Sequence, residues 1–134
     1  MTENTSMLLA TGRRKTSVAQ VRMTPNGTGK ITINAKTPEQ FFGGHLRHKD
    51  SAFLPIVKVE QAKGYDVAVK VVGGGITGQA EAIRHGIARA LSKLELDIKK
   101  AMRKEGYLTR DARMVERKKP GRPKARKRFQ YSKR

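Results

Sequence analysis

The chain has 134 residues, with 30 Lys+Arg against 11 Asp+Glu, a formal net charge of +19 and no cysteine. That excess goes well beyond what solubility needs and points to a polyanion, either nucleic acid or an anionic membrane surface. The missing cysteines exclude a disulfide framework and a thiolate metal site, and a length of one domain with 37% apolar and 5% aromatic residues predicts a small aliphatic core.

In chain order, residues 1–9 read as a loose leader. Met7-Leu8-Leu9-Ala10 is too short for a signal-peptide core of about 7–15 residues. No stretch approaches the roughly 20 apolar residues of a membrane span, so a cytoplasmic protein without a membrane partner is expected. A basic run, Thr11-Gly12-Arg13-Arg14-Lys15, leads into residues 17–23, where β-branched content and a period of two predict a strand. Pro25-Asn26-Gly27-Thr28-Gly29 is a turn signal, and residues 30–34 alternate as a second strand, so the two are expected to pair as a hairpin.

Thr37-Pro38-Glu39-Gln40 predicts a helix with Thr37 as N-cap and Pro38 at its first position, stopped by Gly43-Gly44. Residues 45–61 give no clean period; Pro55 is expected to break them into a short helix followed by irregular or strand structure. Residues 65–72 alternate with β-branched side chains and predict a strand. Gly73-Gly74-Gly75 ends it, and a helix is expected over residues 77–94, its apolar stripe being Ile76, Ala80, Ile83, Ile87, Leu91 and Leu94. Glu81, His85 and Arg89, four apart, are expected to face solvent or a ligand. Gly86 costs about 1 kcal/mol relative to Ala inside a helix, which predicts a close approach of backbone to the sheet. A second helix is expected over residues 97–105, ended by Gly106, and a last strand over residues 113–117.

Gly73 to Gly78 matches G-x-G-x-x-G between a strand and a helix, the pattern of a dinucleotide site. The acid that would hold a ribose, Glu95 or Asp97, falls at a helix junction, and the chain is too short for two mononucleotide halves. The Walker loop fails because Gln79-Ala80 follow Gly78. What remains is a glycine turn that packs a helix on the sheet and offers N–H groups to a phosphate. His45-x-x-His48-x-Asp50 lacks a third His or Cys and has basic neighbours, so solvated or phosphate-facing histidines are expected. No nucleophile with its base stands out, and neither an enzyme, a cofactor nor a small-molecule substrate is expected.

Residues 117–134 hold ten Lys or Arg among 18 residues and no acid. Such a segment cannot bury enough to fold alone and requires a polyanion. Pro120 and Pro123 keep it extended, and at about 3.3 Å per residue 17 residues reach on the order of 55 Å. Phe129 and Tyr131 offer stacking surfaces for bases. Lys119-Pro120-Gly121-Arg122-Pro123-Lys124 also resembles an AT-hook, with Pro120 where that motif carries Arg.

Three motifs then carry a family resemblance. Thr11-Gly12-Arg13-Arg14-Lys15 resembles the opening, residues 73–91 the signature, and Leu108-Thr109-Arg110-Asp111-Ala112-Arg113 running through Glu116-Arg117-Lys118-Lys119 to Ser132-Lys133-Arg134 the end, of the universal small-subunit ribosomal protein family numbered nine in its bacterial-type form. The similarity spans about residues 10–134. It implies an α+β fold: a two-layer α/β sandwich with a mostly antiparallel sheet and a left-handed β-α-β crossover, plus a long extended C-terminal tail. The organisation expected is a leader (1–9), a globular rRNA-binding body (10–117) and a basic tail (118–134).

The resemblance further implies a seat on 16S-type rRNA in the head of the small subunit beside other head proteins. It implies that the tail reaches the anticodon stem-loop of peptidyl-site tRNA, with Ser132, Lys133 and Arg134 at the contact. The rRNA-binding set expected with it is Arg13, Arg14, Lys15, Arg110, Arg113, Arg117, Lys118, Lys119, Arg122, Lys124, Arg126, Lys127 and Arg128. Charge and shape, and not base sequence, would be read by the middle of the tail.

Overall fold

Four strands and five α-helices make up the described part of the molecule in a computed structural model, which covers residues 7–25, 27–43, 46–94, 96–109 and Pro120. The strands are β1 (Leu8–Arg14), β2 (Ser17–Thr24), β3 (Ile31–Ile33) and β4 (Asp66–Val72). They lie in the order β1-β2-β4-β3, with β1/β2 and β2/β4 antiparallel and β3/β4 parallel. The helices are α1 (Pro38–Phe42), α2 (Leu46–Ala52), α3 (Leu54–Lys58), α4 (Ile76–Leu91) and α5 (Leu96–Lys104), with a 3-10 turn at Glu60–Gly64.

The period of two decides which face is covered. Ser17, Ala19, Val21 and Met23 of β2 and Val67, Val69 and Val71 of β4 are buried, while Gln20, Arg22, Ala68, Lys70 and Val72 between them are exposed. α4 lies on the buried face and contributes Ala80, Ile83, Ile87 and Leu91 to the core, joined by Phe42, Ile33 and Met102. Each of the larger apolar side chains among them contributes about 1.5–3 kcal/mol on burial. The expected α+β class is therefore what forms.

The expected hairpin between β2 and β3 does not form. β4 lies between them, pairing Met23 with Val67 on one side and Ile31 with Val67 on the other. The glycine-rich connection is tied to the start of β4 instead. Asp66 Oδ1 accepts the amides of Thr28, Gly29 and Lys30 at 2.9, 3.1 and 3.0 Å, and Gly27 N donates to Gly64 O at 2.9 Å. Alternation identified both strands, but partner choice followed the more apolar β4, which gains two neighbours by sitting in the middle.

The leader ends sooner than expected. Leu8 and Leu9 pair with Met23 and Arg22, and Lys15-Thr16 form a two-residue turn into β2. α1 starts as predicted: Thr37 Oγ1 accepts from Gln40 N and Gln40 Oε1 accepts from Thr37 N, both at 3.2 Å. Pro55 begins α3 within its first turn, where its missing N–H has no partner to lose, so residues 46–58 form two short helices. The strand expected over residues 113–117 lies outside the described residues.

β1 is an edge strand, and α4 holds it. A Cβ on Gly12 would stand 1.9 Å from Ala82 O and 2.3 Å from Gly86 N, and one on Gly86 2.7 Å from Val21 Cγ2. The close approach expected at Gly86 is thus one of a glycine pair, with Gly12 facing it. Of Glu81, His85 and Arg89, expected to face solvent or a ligand, Arg89 is exposed, whereas His85 is buried and Glu81 half-buried against β1. The Arg13 amide donates to His85 Nδ1 at 3.3 Å, Arg89 Nη1 donates to Thr11 O at 2.8 Å, and Lys93 Nζ donates to Leu9 O. Four helical residues advance about 6 Å and two strand residues about 6.8 Å, so side chains four apart on α4 step with alternate residues of β1. Side chains of α4 and of the turn after it thus reach polar groups along the otherwise open strand edge.

Candidate nucleic-acid interface

The basic opening motif and the glycine signature meet at one corner. The β1–β2 turn stacks on the turn after β4: Cβ atoms on Gly73 and Gly74 would stand 2.5 Å from Thr16 O and 2.1 Å from Ser17 Oγ, and both residues have positive φ (78° and 64°). Buried Ser17 donates from Oγ to Gly73 O at 2.9 Å, and Gln79 Nε2 donates to the same oxygen at 3.1 Å. These bonds seat the first turn of α4 beneath Lys15. Gly75 is the N-cap of α4 and makes no side-chain cap bond. The positive end of a 16-residue helix thus adjoins the cationic turn.

The three predicted cations of this motif part company. Arg13 and Lys15 are exposed, on the outer sheet face and on the turn. Lys15 adopts φ 54°, a left-handed conformation that costs a non-glycine residue about 1–2 kcal/mol. Arg14 turns inward instead: its guanidinium pairs with Glu81, and its side chain is 14% exposed. Strand parity explains the split, since neighbouring residues point to opposite faces. Arg110, Arg113, Arg117, Lys118, Lys119, Arg122, Lys124, Arg126, Lys127, Arg128, Ser132, Lys133 and Arg134 lie outside the described residues.

Lys99, Lys100, Arg103 and Lys104 form an exposed cationic face on α5, opposite buried Ile98 and Met102. Sequence reading found the helix and not this face. The signal was present in the apolar pair spaced by four with cations between. Beyond α5, Tyr107 and Leu108 pack partly against the core, and the Arg84 guanidinium lies 5.6 Å from the Tyr107 ring centre. The chain is therefore held against the body as far as Leu108.

The glycine motif does not open a dinucleotide fold. α4 leads into α5, Asp97 sits in the first turn of α5, and β4 pairs antiparallel with β2. Among the described residues no group of three His, Cys, Asp or Glu is placed to hold a metal; His45 lies outside them, and His48 Nε2 is 3.5 Å from Thr77 Oγ1.

An α+β body with a cationic turn over a helix N-terminus and a second cationic helix face has the build of a nucleic-acid-binding protein. Comparison with known proteins makes this specific. The family model described as ribosomal protein S9/S16 matches residues 12–134. The chain is 52% identical over 128 residues to the small ribosomal subunit protein uS9 of Anaeromyxobacter sp. (strain K), covering 94% of this chain and 95% of that one. It is also 52% identical over 125 residues to the uS9 proteins of Porphyromonas gingivalis and Phocaeicola vulgatus, covering 93% of this chain and 96% of theirs. The chain belongs to the ribosomal protein S9/S16 family, and it is a ribosomal protein and not an enzyme.

Proposed function

We propose that the chain is a structural constituent of the small ribosomal subunit in the cytoplasm, seated on 16S-type rRNA in the head beside other head proteins. The body (residues 10–117) grips rRNA through Arg13, Lys15 and the outer cations of α5. The arm (118–134) follows rRNA by charge through Arg122, Lys124, Arg126, Lys127 and Arg128. Its last residues, Ser132, Lys133 and Arg134, meet the anticodon stem-loop of peptidyl-site tRNA. The reading also takes the connection from β3 through α1–α3 to parallel β4 as a left-handed crossover.

The observation that carries it is a family match running through to residue 134, across a segment with ten cations in 18 residues and no acid. Such a segment is ordered only by an anion of comparable length, and RNA provides one phosphate per residue-scale step. Ribosomes reconstituted with a protein lacking residues 132–134 test the arm. Small subunits are expected to assemble, with weaker peptidyl-site tRNA binding and a shallower salt dependence. Unchanged tRNA affinity across the salt titration would sink the tRNA role.

A further inference from the structure

Among the described residues, the sheet face that no helix covers carries cations of its own. Pairing register sets Leu9, Thr11 and Arg13 of β1 beside Arg22, Gln20 and Val18 of β2. Ala68, Lys70 and Val72 of β4 continue the same rows, and Thr32 of β3 extends one of them. All project away from α4; all but Arg13 and Val18 floor a shallow concavity of about 990 Å3, and Arg13 lies on the same face beyond it. Leu9 and Val72, at opposite ends of the face, are 54% and 55% exposed.

Charge decides what lies on it. Arg13, Arg22 and Lys70 supply three cations, and Arg22 and Lys70 are diagonal neighbours on adjacent strands, about 7–8 Å apart in such pairings. The acid on this face, Asp66, stands at its edge with Oδ1 bonded to three amides. A second copy would set these cations against their own kind. The chain's own tail is excluded for the same reason, since it holds ten cations and no acid. The occupant is anionic. RNA is favoured over an acidic protein because Arg13 belongs both to this face and to the corner of Lys15, making the two surfaces continuous.

We propose that the open sheet face is a second RNA-backbone surface, with Arg22 and Lys70 as its phosphate-binding residues. This rests on the rRNA-binding reading above. No aromatic side chain lies among the face residues named, so the contact is to phosphate and sugar and not to stacked bases.

The test is equilibrium binding of the full chain to a small-subunit rRNA transcript across a salt titration, with denaturant unfolding as a control for the fold. In the variant carrying Arg22→Gln and Lys70→Gln, the slope of log affinity against log salt is expected to fall by about 1.4–1.8, two phosphate contacts at roughly 0.7–0.9 each. Unfolding midpoints should match the wild type. An unchanged slope, while Lys15→Ala alone loses about 0.7–0.9, overturns the proposal and leaves the ribosomal reading intact. If the wild type itself shows no salt-dependent binding, the ribosomal reading fails first. If Leu9→Ser with Val72→Ser impairs subunit assembly and the charge variant does not, a protein covers the face and the proposal is wrong.

Discussion

A single methyl group placed on Gly12 tests how β1 is held. Its Cβ would stand 1.9 Å from Ala82 O, 2.3 Å from Gly86 N and 2.8 Å from Gly86 Cα, all backbone atoms of a buried helix, where ordinary contact begins at 3.4 Å. β1 must therefore retreat by more than 1 Å, on the order of the margin within which a hydrogen bond survives. Four polar contacts cross that seam: Arg13 N to His85, Arg89 to Thr11 O, Lys93 to Leu9 O, and the pair Arg14–Glu81. At about 0.5–1.5 kcal/mol each, their loss makes Gly12→Ala cost roughly 2–6 kcal/mol. With a urea slope of about 1–3 kcal/mol/M, the unfolding midpoint falls by on the order of 1 M or more. The Arg13 amide should also lose its protection from hydrogen exchange. A midpoint shift below about 0.3 M with an unchanged slope would refute the reasoning, because the strand would then have room it is said to lack.

Three further outcomes are expected. Lys15→Gly relieves a left-handed backbone and should raise stability by up to about 1 kcal/mol in denaturant unfolding, while lowering the salt slope of rRNA binding by roughly 0.7–0.9. A variant that is both less stable and equally tight on RNA contradicts the role given to this turn. Arg14→Gln should behave oppositely, reducing stability by about 1–3 kcal/mol through the uncompensated Glu81, with the RNA salt slope unchanged. The Glu39 carboxyl is held below its ordinary value, first by its hydrogen bond to Lys49 Nζ at 2.6 Å, which ties α1 to α2. A lowered value means stability present above the ordinary carboxylate range and lost as pH falls through the folded-state value. Wild type and Glu39→Gln should therefore differ slightly at neutral pH in low salt and converge in acid, and a gap that widens on acidification would contradict the sign.

The local elements and the chemical class were legible in the residues alone. A period of two marks β2 and β4 because alternate side chains must enter a core, and Thr37-Pro38-Glu39-Gln40 closes its capping box without help from afar. The tail's charge needs no fold to declare a polyanionic partner. Tertiary structure decided what depends on contacts distant in sequence. β1 has no apolar alternation to announce it; it is a strand because Gly12 lets it approach Gly86 and because side chains of α4 and of the turn after it bond to its outer edge. β3 pairs with β4 because Asp66 gathers the amides of the turn before it. Arg13, Arg14 and Lys15 are chemically alike in sequence, and only the parity of a packed strand and the turn that ends it send Arg14 inward to Glu81 and leave the other two exposed. Periodicity reports which faces are buried; which faces meet is fixed by closure over long loops, where no local signal reaches.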